Sequence, residues 1–491
     1  MMLFPFVFLI YALFLFLISR FTSRKAGDAA FYTGNRQSPW YVVAYGMIGA
    51  SLSGVTFLSQ PGWVGATQFS YMMMVFGYVA GYAVIALILL PLYYRLNLTS
   101  IYTYLEQRFG SYTYKTGASF FILSRGVGAA LRMYLSVYVL DLFVFGPLHI
   151  PFGVVAFVSV LLVLLYTCKG GIRTIVWTDM LQTTFMLLSV AITIYLICKS
   201  LDWNFTEMIF NVRYSDYSLV MVTDWTDPRF FLKQFLAGIF ITIAMTGLDQ
   251  DMMQKNLSCR SLRDAQKNMF TFSGILVLVN IMFLLLGAVL YIYAEANHIV
   301  VVGSSDSLFA TVSIHCLGVF AGIVFLTGLI AAAYSSADST LTALTTSFCI
   351  DIIGLNKHVL PERQKVRIRY TVHISFALLF LALIMGFKQL NNKAVIDRFF
   401  IIAGYTYGPL LGLYGFGLLT RLKVRDRAVP VIAIVSPLLT CILDSNSTQW
   451  FNGYQFGFEL LIVNGLFTFL GLWLCRKSVF SSKKNAEILL C

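Results

Sequence analysis

Charge is scarce in this chain. Only 12% of its 491 residues are Asp, Glu, Lys or Arg, about half the share of a soluble globular domain, so a string of water-facing domains is excluded. The eight cysteines contain no Cys-x-x-Cys pair. That removes a redox motif and the usual zinc spacing, and leaves them as small buried hydrophobes. The five histidines form no His-Glu-x-x-His, and neither a Gly-x-Ser-x-Gly elbow nor a P-loop occurs. Hydrolytic metal chemistry, a serine nucleophile and ATP are therefore unsupported, and no enzyme is expected. The net charge of +13 would suit a nucleic acid. Its basic residues, however, lie in short segments between apolar runs rather than on one stripe, so no nucleic-acid partner is expected.

Apolar surface is what the chain has in excess: 58% hydrophobic residues, with 43 Phe, 27 Tyr and 7 Trp. Its solvent is lipid, and crossing ~30 Å of hydrocarbon takes about 20 mostly apolar residues. Thirteen stretches qualify, near 3–19, 40–60, 71–93, 116–141, 150–167, 174–198, 234–253, 268–293, 307–350, 370–387, 395–420, 428–443 and 457–475. The ninth is long enough to run beyond the membrane. The first lacks a charged n-region and a small-residue cleavage site, so it reads as a retained span. With the connecting loops alternating sides, 26 Lys and Arg fall on one side and 7 on the other. By the positive-inside rule this split supports the span count, an external N-terminus and a cytoplasmic C-terminus of a multi-pass cell-membrane protein. The longest outer loop, about 199–233, is polar and expected over the mouth.

Function in such a bundle concentrates where a helix is spoiled or charged at depth. The second span carries Gly46, Gly49, Ser51, Ser53, Gly54 and Thr56, then Pro61-Gly62. This is poor helix and good close-contact surface, and small-residue packing is its alternative reading. The seventh has Gly238, Thr242, Thr246-Gly247, then Asp249-Gln250-Asp251. Lying five spans apart, the two run in opposite directions, and paired interrupted spans of opposite sense trace an inverted repeat with the binding site at its interface. The ninth span reads Ala332-Ala333-Tyr334-Ser335-Ser336-Ala337-Asp338-Ser339. Ser335, Asp338 and Ser339 share one helical face. Ser336 can join the Ala332 carbonyl on one cation if it turns away from bonding back to that carbonyl; otherwise the serines merely pack. Asp179, in Trp177-Thr178-Asp179, is either a site carboxylate or an interfacial one. Span four holds Arg125 and Arg132. The latter falls near mid-membrane, where it needs an anion: a solute carboxylate, or Asp249, Asp251 or Asp338.

These residues resemble the sodium:solute symporter family, which includes sodium/proline, sodium/galactose, sodium/monocarboxylate and sodium/sialic acid transporters. The similarity runs from Phe31 to Thr420. It is carried by Gly247-Leu248-Asp249-Gln250-Asp251-Met252-Met253-Gln254-Lys255, by Trp177-Thr178-Asp179, and by the Ser335-Ser336 pair followed by Asp351-Ile352. Asp249 stands where the family has Asn, and Lys255 where it has Arg. The resemblance implies a LeuT-like core of five plus five inverted helices, spans 2–11, with discontinuous spans 2 and 7. It implies a sodium site from the carbonyls of Gly49, Leu52 and Ala332 and the hydroxyls of Ser335 and Ser336. A second ion site, found in some members, would use Asp179, Ser335, Ser339 and the Asp338 position, with Asp338 replacing a hydroxyl. In the solute pocket, Val55 and Thr56 stand where galactose transporters have Glu and Gln. Ser51, Ser53 and Thr56 are closer to the sialic acid transporters, whose substrate arginine matches Arg132. Asp249 and Gln250 complete the candidate pocket.

The expectation is a secondary active transporter that couples sodium to uptake of a small organic solute, with a carboxylate-bearing one favoured. A sodium-coupled sugar or polyol symporter and a non-transporting sensor are the alternatives. Sodium is the coupling ion, with no organic cofactor. The lipid bilayer and the solute are the partners, with no obligate protein partner evident. The chain divides into a first helix and loop (1–39), a transporter core (40–420), and peripheral helices with a cytoplasmic tail (421–491).

Overall fold

The computed structural model describes residues 3–23, 28–299, 305–390, 405–454 and 456–477. Among these the chain is helical throughout, with three isolated bridges and no strand. In chain order the main helices are α1 (Leu3–Thr22), α2 (Trp40–Ser51), α3 (Gly54–Thr67), α4 (Tyr71–Arg95), α5 (Ser111–Leu148), α6 (Phe152–Thr167), α7 (Ile172–Ser200) and α8 (Phe231–Gly247). They continue as α9 (Gln250–Leu257), α10 (Leu262–Ala296), α11 (Val319–Ile353), α12 (Glu362–Gln389), α13 (Tyr407–Leu419), α14 (Asp426–Ser445) and α15 (Leu460–Leu474). Seven of these are long and apolar enough to cross a membrane, and the bent pairs α2–α3 and α8–α9 bring the number to nine. Four apolar helices are shorter.

Both bends fall at the segments singled out by composition, and each has a local cause. Between α2 and α3 the axis turns by 61°. Leu52 leaves the helix at φ −92°, ψ 92°, and the extended Ser53 caps α3 with its hydroxyl facing the Thr56 amide at 3.5 Å. Between α8 and α9 the turn is 67°. There Asp249 caps α9, its Oδ1 accepting from the amides of Asp251 at 2.9 Å and Met252 at 3.3 Å. A carboxylate satisfies donors that a new helix start would otherwise leave unpaired within the membrane.

α11 is the axis of the bundle: 72% of its spanning window is buried, against 22% for α14 at the rim. Elsewhere in the bundle, glycines set how closely helices approach. Gly77 and Gly238 face each other where α4 crosses α8; a Cβ on either would lie 3.0–3.1 Å from the other's Cα. Such contacts hold helices by close packing, since lipid supplies no hydrophobic drive between them. α1 lies against α6, α7 and α11.

The ninth apolar stretch is not one long helix. It divides into Leu308–Cys316 and α11, because Gly318 adopts φ +86° and breaks the ladder. The 199–233 connection contains a helix at Phe205–Arg213 and is fastened to the end of α3. Gln68 Nε2 donates to the Asp216 carbonyl at 2.7 Å, and Arg229 Nη1 to that of Ala66 at 3.0 Å. The start of the eleventh stretch (395–404), the basic residues Arg24, Lys25, Lys393, Arg398, Lys483 and Lys484, and the tail beyond 477 lie outside the described residues.

Candidate functional site

The α2–α3 break, α7 and α11 meet at Gly49. A Cβ there would sit 2.7 Å from Thr183 Oγ1 and 2.9 Å from Ser335 Oγ, so glycine is what allows the three helices to close. The Gly49 amide donates to Thr183 Oγ1 at 3.0 Å. The α2 ladder ends with Leu52 N donating to the Ile48 carbonyl at 2.8 Å. Carbonyls from Gly49 to Leu52 therefore have no helical donor and face outward from the helix end. Opposite them, Ala332, Ser335 and Ser336 are buried. Ser335 Oγ donates to Asp179 Oδ1 at 2.7 Å, which leaves its lone pairs available. Ser336 Oγ makes no hydrogen bond among the described residues. It does not bond back to the Ala332 carbonyl, which meets the condition under which hydroxyl and carbonyl can share a cation.

Buried charges surround this point in two clusters. Asp179 is fully buried rather than interfacial, and its Oδ2 accepts from Lys255 Nζ at 2.6 Å. Lys255, counted by sequence with the cytoplasmic basic loops, is 1% exposed and belongs to this pair. The 26 basic residues assigned to that side become 25. In the second cluster Arg125 donates to Asp251 Oδ2 from Nη2 at 2.5 Å and from Nε at 3.2 Å, with Asp249 Oδ2 3.7 Å from Nε. Ser339 Oγ bonds back to the Ser335 carbonyl at 3.0 Å and reaches Asp251 Oδ2 at 3.3 Å, with no bond to Asp179. The three residues expected to share a second ion thus have different hydrogen-bond partners. Asp179 faces Lys255 and Ser335, Ser339 faces Asp251, and Asp338 Oδ2 accepts from Tyr166 OH at 2.8 Å.

The residues expected to line the solute pocket divide likewise. Ser51, Ser53 and Thr56 lie at the α2–α3 break, and the Tyr82 hydroxyl of α4 approaches those of Ser51 and Thr246. Gly54 abuts Ser136 of α5, whose hydroxyl bonds the Arg132 carbonyl one turn earlier at 3.2 Å. Arg132 thus borders the break. Its guanidinium is half-buried and has neither hydrogen bond nor ion pair with any described residue. Asp249, by contrast, caps α9 and accepts from Tyr407 OH at 3.0 Å. Gln250 points elsewhere: its Oε1 accepts from the Ile101 amide at 2.9 Å and its Nε2 donates to the Thr99 carbonyl at 3.0 Å. It fastens the connection after α4.

Sequence reasoning missed the pairing of Lys255 with Asp179, and the residues Tyr166, Thr183 and Tyr82. Each acts across helices, through a rotation about the helix axis that spacing within one helix does not report. Lys255 left one signal, a lysine in an otherwise neutral segment beside Asp251.

The sodium:solute symporter family model matches residues 31–420. The sodium/sialic acid symporter NanT of Aliivibrio fischeri is 24% identical over 433 residues, covering 87% of this chain and 84% of that one. The mouse sodium-coupled monocarboxylate transporter 1 is 26% identical over 407 residues, covering 79% and 64%. The structure of a Na+-coupled sialic acid symporter, substrate-bound and outward-open, superposes with a TM-score of 0.81 at 20% identity, covering 96% of this chain and 98% of that one. The all-helical fold is shared with that transporter. Broken helices joined by an unwound carbonyl-rich turn, hydroxyls opposite them and buried compensated charge are the equipment of ion-coupled transport rather than catalysis. The chain belongs to the sodium:solute symporter family and is a multi-pass, sodium-coupled membrane transporter, not an enzyme.

Proposed function

We propose that this symporter carries a small carboxylate-bearing solute into the cell, with Arg132 holding the carboxylate and Ser51, Ser53 and Thr56 the polar remainder. The observation that carries this reading is the contrast between two arginines seven residues apart. Arg125 has Asp251, whereas Arg132, beside the break, has no anion among the described residues. A guanidinium cannot shed its proton to escape a low dielectric, and its fork matches a carboxylate. Two of the relatives named above carry sialic acid and monocarboxylates, both acids. The sodium site is the Gly49, Leu52 and Ala332 carbonyls with the Ser335 and Ser336 hydroxyls. One charge falling through 100 mV supplies about 2.3 kcal/mol, enough for roughly fifty-fold accumulation.

The same reading makes the four shorter apolar helices membrane-crossing, for thirteen spans. It makes residues 40–420 a five-plus-five inverted repeat flanked by peripheral segments, with the N-terminus outside and the C-terminus in the cytoplasm. The test is uptake into proteoliposomes of a panel of labelled acids, amino acids and sugars, by wild type and Arg132→Lys. A sodium-dependent acid should be transported, and the lysine variant should raise its KM tenfold or more with near-normal expression. Uptake of a neutral sugar, indifferent to Arg132→Lys, would instead establish the sugar or polyol reading.

A further inference from the structure

The carboxylates in the membrane core outnumber the cations that face them. Asp179 has Lys255, and Asp249 and Asp251 share Arg125. Asp338, 0% exposed, has no cation within ion-pair distance among the described residues. Tyr166 OH donates to its Oδ2 at 2.8 Å, and its Oδ1 has no hydrogen-bond partner. An ionised carboxylate left this way in a low-dielectric interior costs several kcal/mol, so a missing counter-charge is the question the site poses.

The groups around Asp338 supply oxygens rather than nitrogens. Gln182, on the α7 face that also carries Asp179, is 0% exposed, and neither atom of its amide makes a hydrogen bond. The hydroxyls of Tyr11 on α1 and Tyr166 on α6 both approach that amide and Asp338. The Tyr11 hydroxyl is buried and unpartnered as well. Tyr11 is fixed against Tyr334, the two ring centroids lying 6.4 Å apart. Four helices thus converge a carboxylate oxygen, an amide carbonyl and two phenolic oxygens, and no basic group enters from any of them. The nearest ammonium, Lys255, is committed to Asp179 at 2.6 Å.

We propose that Asp338, Gln182, Tyr11 and Tyr166 form a second binding site for a dehydrated monovalent cation, sodium, distinct from the serine site. It shares Asp338 with the arrangement of Asp179, Ser335, Ser339 and the Asp338 position that the family resemblance implies, but draws its other ligands from α1, α6 and α7. In this chain Lys255 and Ser335 close off Asp179, and Ser339 turns to Asp251. The site lies on the α1 side of α11, which gives the first helix a part in ion coupling. Oxygen ligands of this kind replace the hydration shell of an alkali ion, and the ion neutralises a buried carboxylate that has no ion-pair partner among the described residues.

The proposal deepens the sodium-coupled reading above and rests on it. Radiolabelled sodium binding to the purified full-length chain in detergent tests it without any solute. Wild type should bind two ions per chain, Asp338→Asn one, Ser335→Ala with Ser336→Ala one, and the combined variant none. Gln182→Met and Tyr166→Phe preserve volume and should each weaken one ion at least tenfold while leaving the other unchanged. They decide the matter if Asp338→Asn does not fold. Two ions retained in Asp338→Asn, a single ion in wild type, or proton exchange in place of the second sodium would overturn the proposal. A serine variant that keeps both ions would count against the first site and leave this one standing.

Discussion

Replacing Lys255 by Met tests whether Asp179 is held by an internal ion pair or reserved for a transported ion. Both partners are at most 1% exposed and the ammonium sits 2.6 Å from Asp179 Oδ2, while Ser335 Oγ donates to Oδ1 at 2.7 Å. Removing one partner of a buried pair leaves an uncompensated charge and costs about 3–5 kcal/mol, whereas replacing both with neutral groups of like volume is often close to neutral. Lys255→Met should therefore lower the melting temperature of the purified protein sharply. Asp179→Asn should do so less, because Asn keeps an acceptor for Ser335, and the double variant should recover most of the loss. The coupling between the two substitutions, read from a double-mutant cycle, should be on the order of 3 kcal/mol. If sodium instead used Asp179, added NaCl would rescue Lys255→Met by filling the vacated ammonium position. Equal melting of Lys255→Met and wild type in sodium-free buffer would refute the ion-pair argument.

Gly49→Ala places a methyl 2.9 Å from Ser335 Oγ and 2.7 Å from Thr183 Oγ1; it should raise the sodium concentration for half-maximal uptake several-fold, whereas Gly274→Ala, with open space at its Cβ, should leave it unchanged. For topology, Tyr214→Cys, at an exposed position of the 199–233 connection, should react with an impermeant thiol reagent in intact cells of a cysteine-free variant. His358→Cys, in the loop before α12, should react only after permeabilisation; the reverse pattern would invert the orientation.

Most of the architecture was legible because lipid imposes a one-dimensional rule: apolar length sets spans, and Gly, Ser and Thr clusters mark breaks. The α2–α3 bend could be read from Gly49, Ser51, Ser53 and Gly54, and that at α8–α9 from Gly247 and Asp249. The division of the ninth stretch could have been read from Gly318, whose φ of +86° ends one helix and starts another, but hydropathy runs through it without a dip. The pairing of the Ser336 hydroxyl with the Ala332 carbonyl was legible because i and i+4 geometry within one helix is fixed. Pairings between helices were not. Lys255 meets Asp179 across 76 positions and Tyr166 meets Asp338 across 172. Which face each helix turns inward depends on packing at glycines such as Gly46 and Gly328. That is why Gln250, adjacent to two site carboxylates in sequence, points to the backbone of Thr99 and Ile101 instead.

The central claim, that sodium bound between the α2–α3 break and α11 drives uptake, is tested most directly by sodium-gradient-driven uptake into proteoliposomes containing wild type or the Ser335→Ala, Ser336→Ala variant. Ser to Ala removes one oxygen and hardly alters volume, so packing alone predicts no change. Loss of two oxygen ligands from a dehydrated cation predicts a rise of at least tenfold in the sodium concentration giving half-maximal uptake, with normal folding. Unaltered sodium dependence in the double variant would contradict the account.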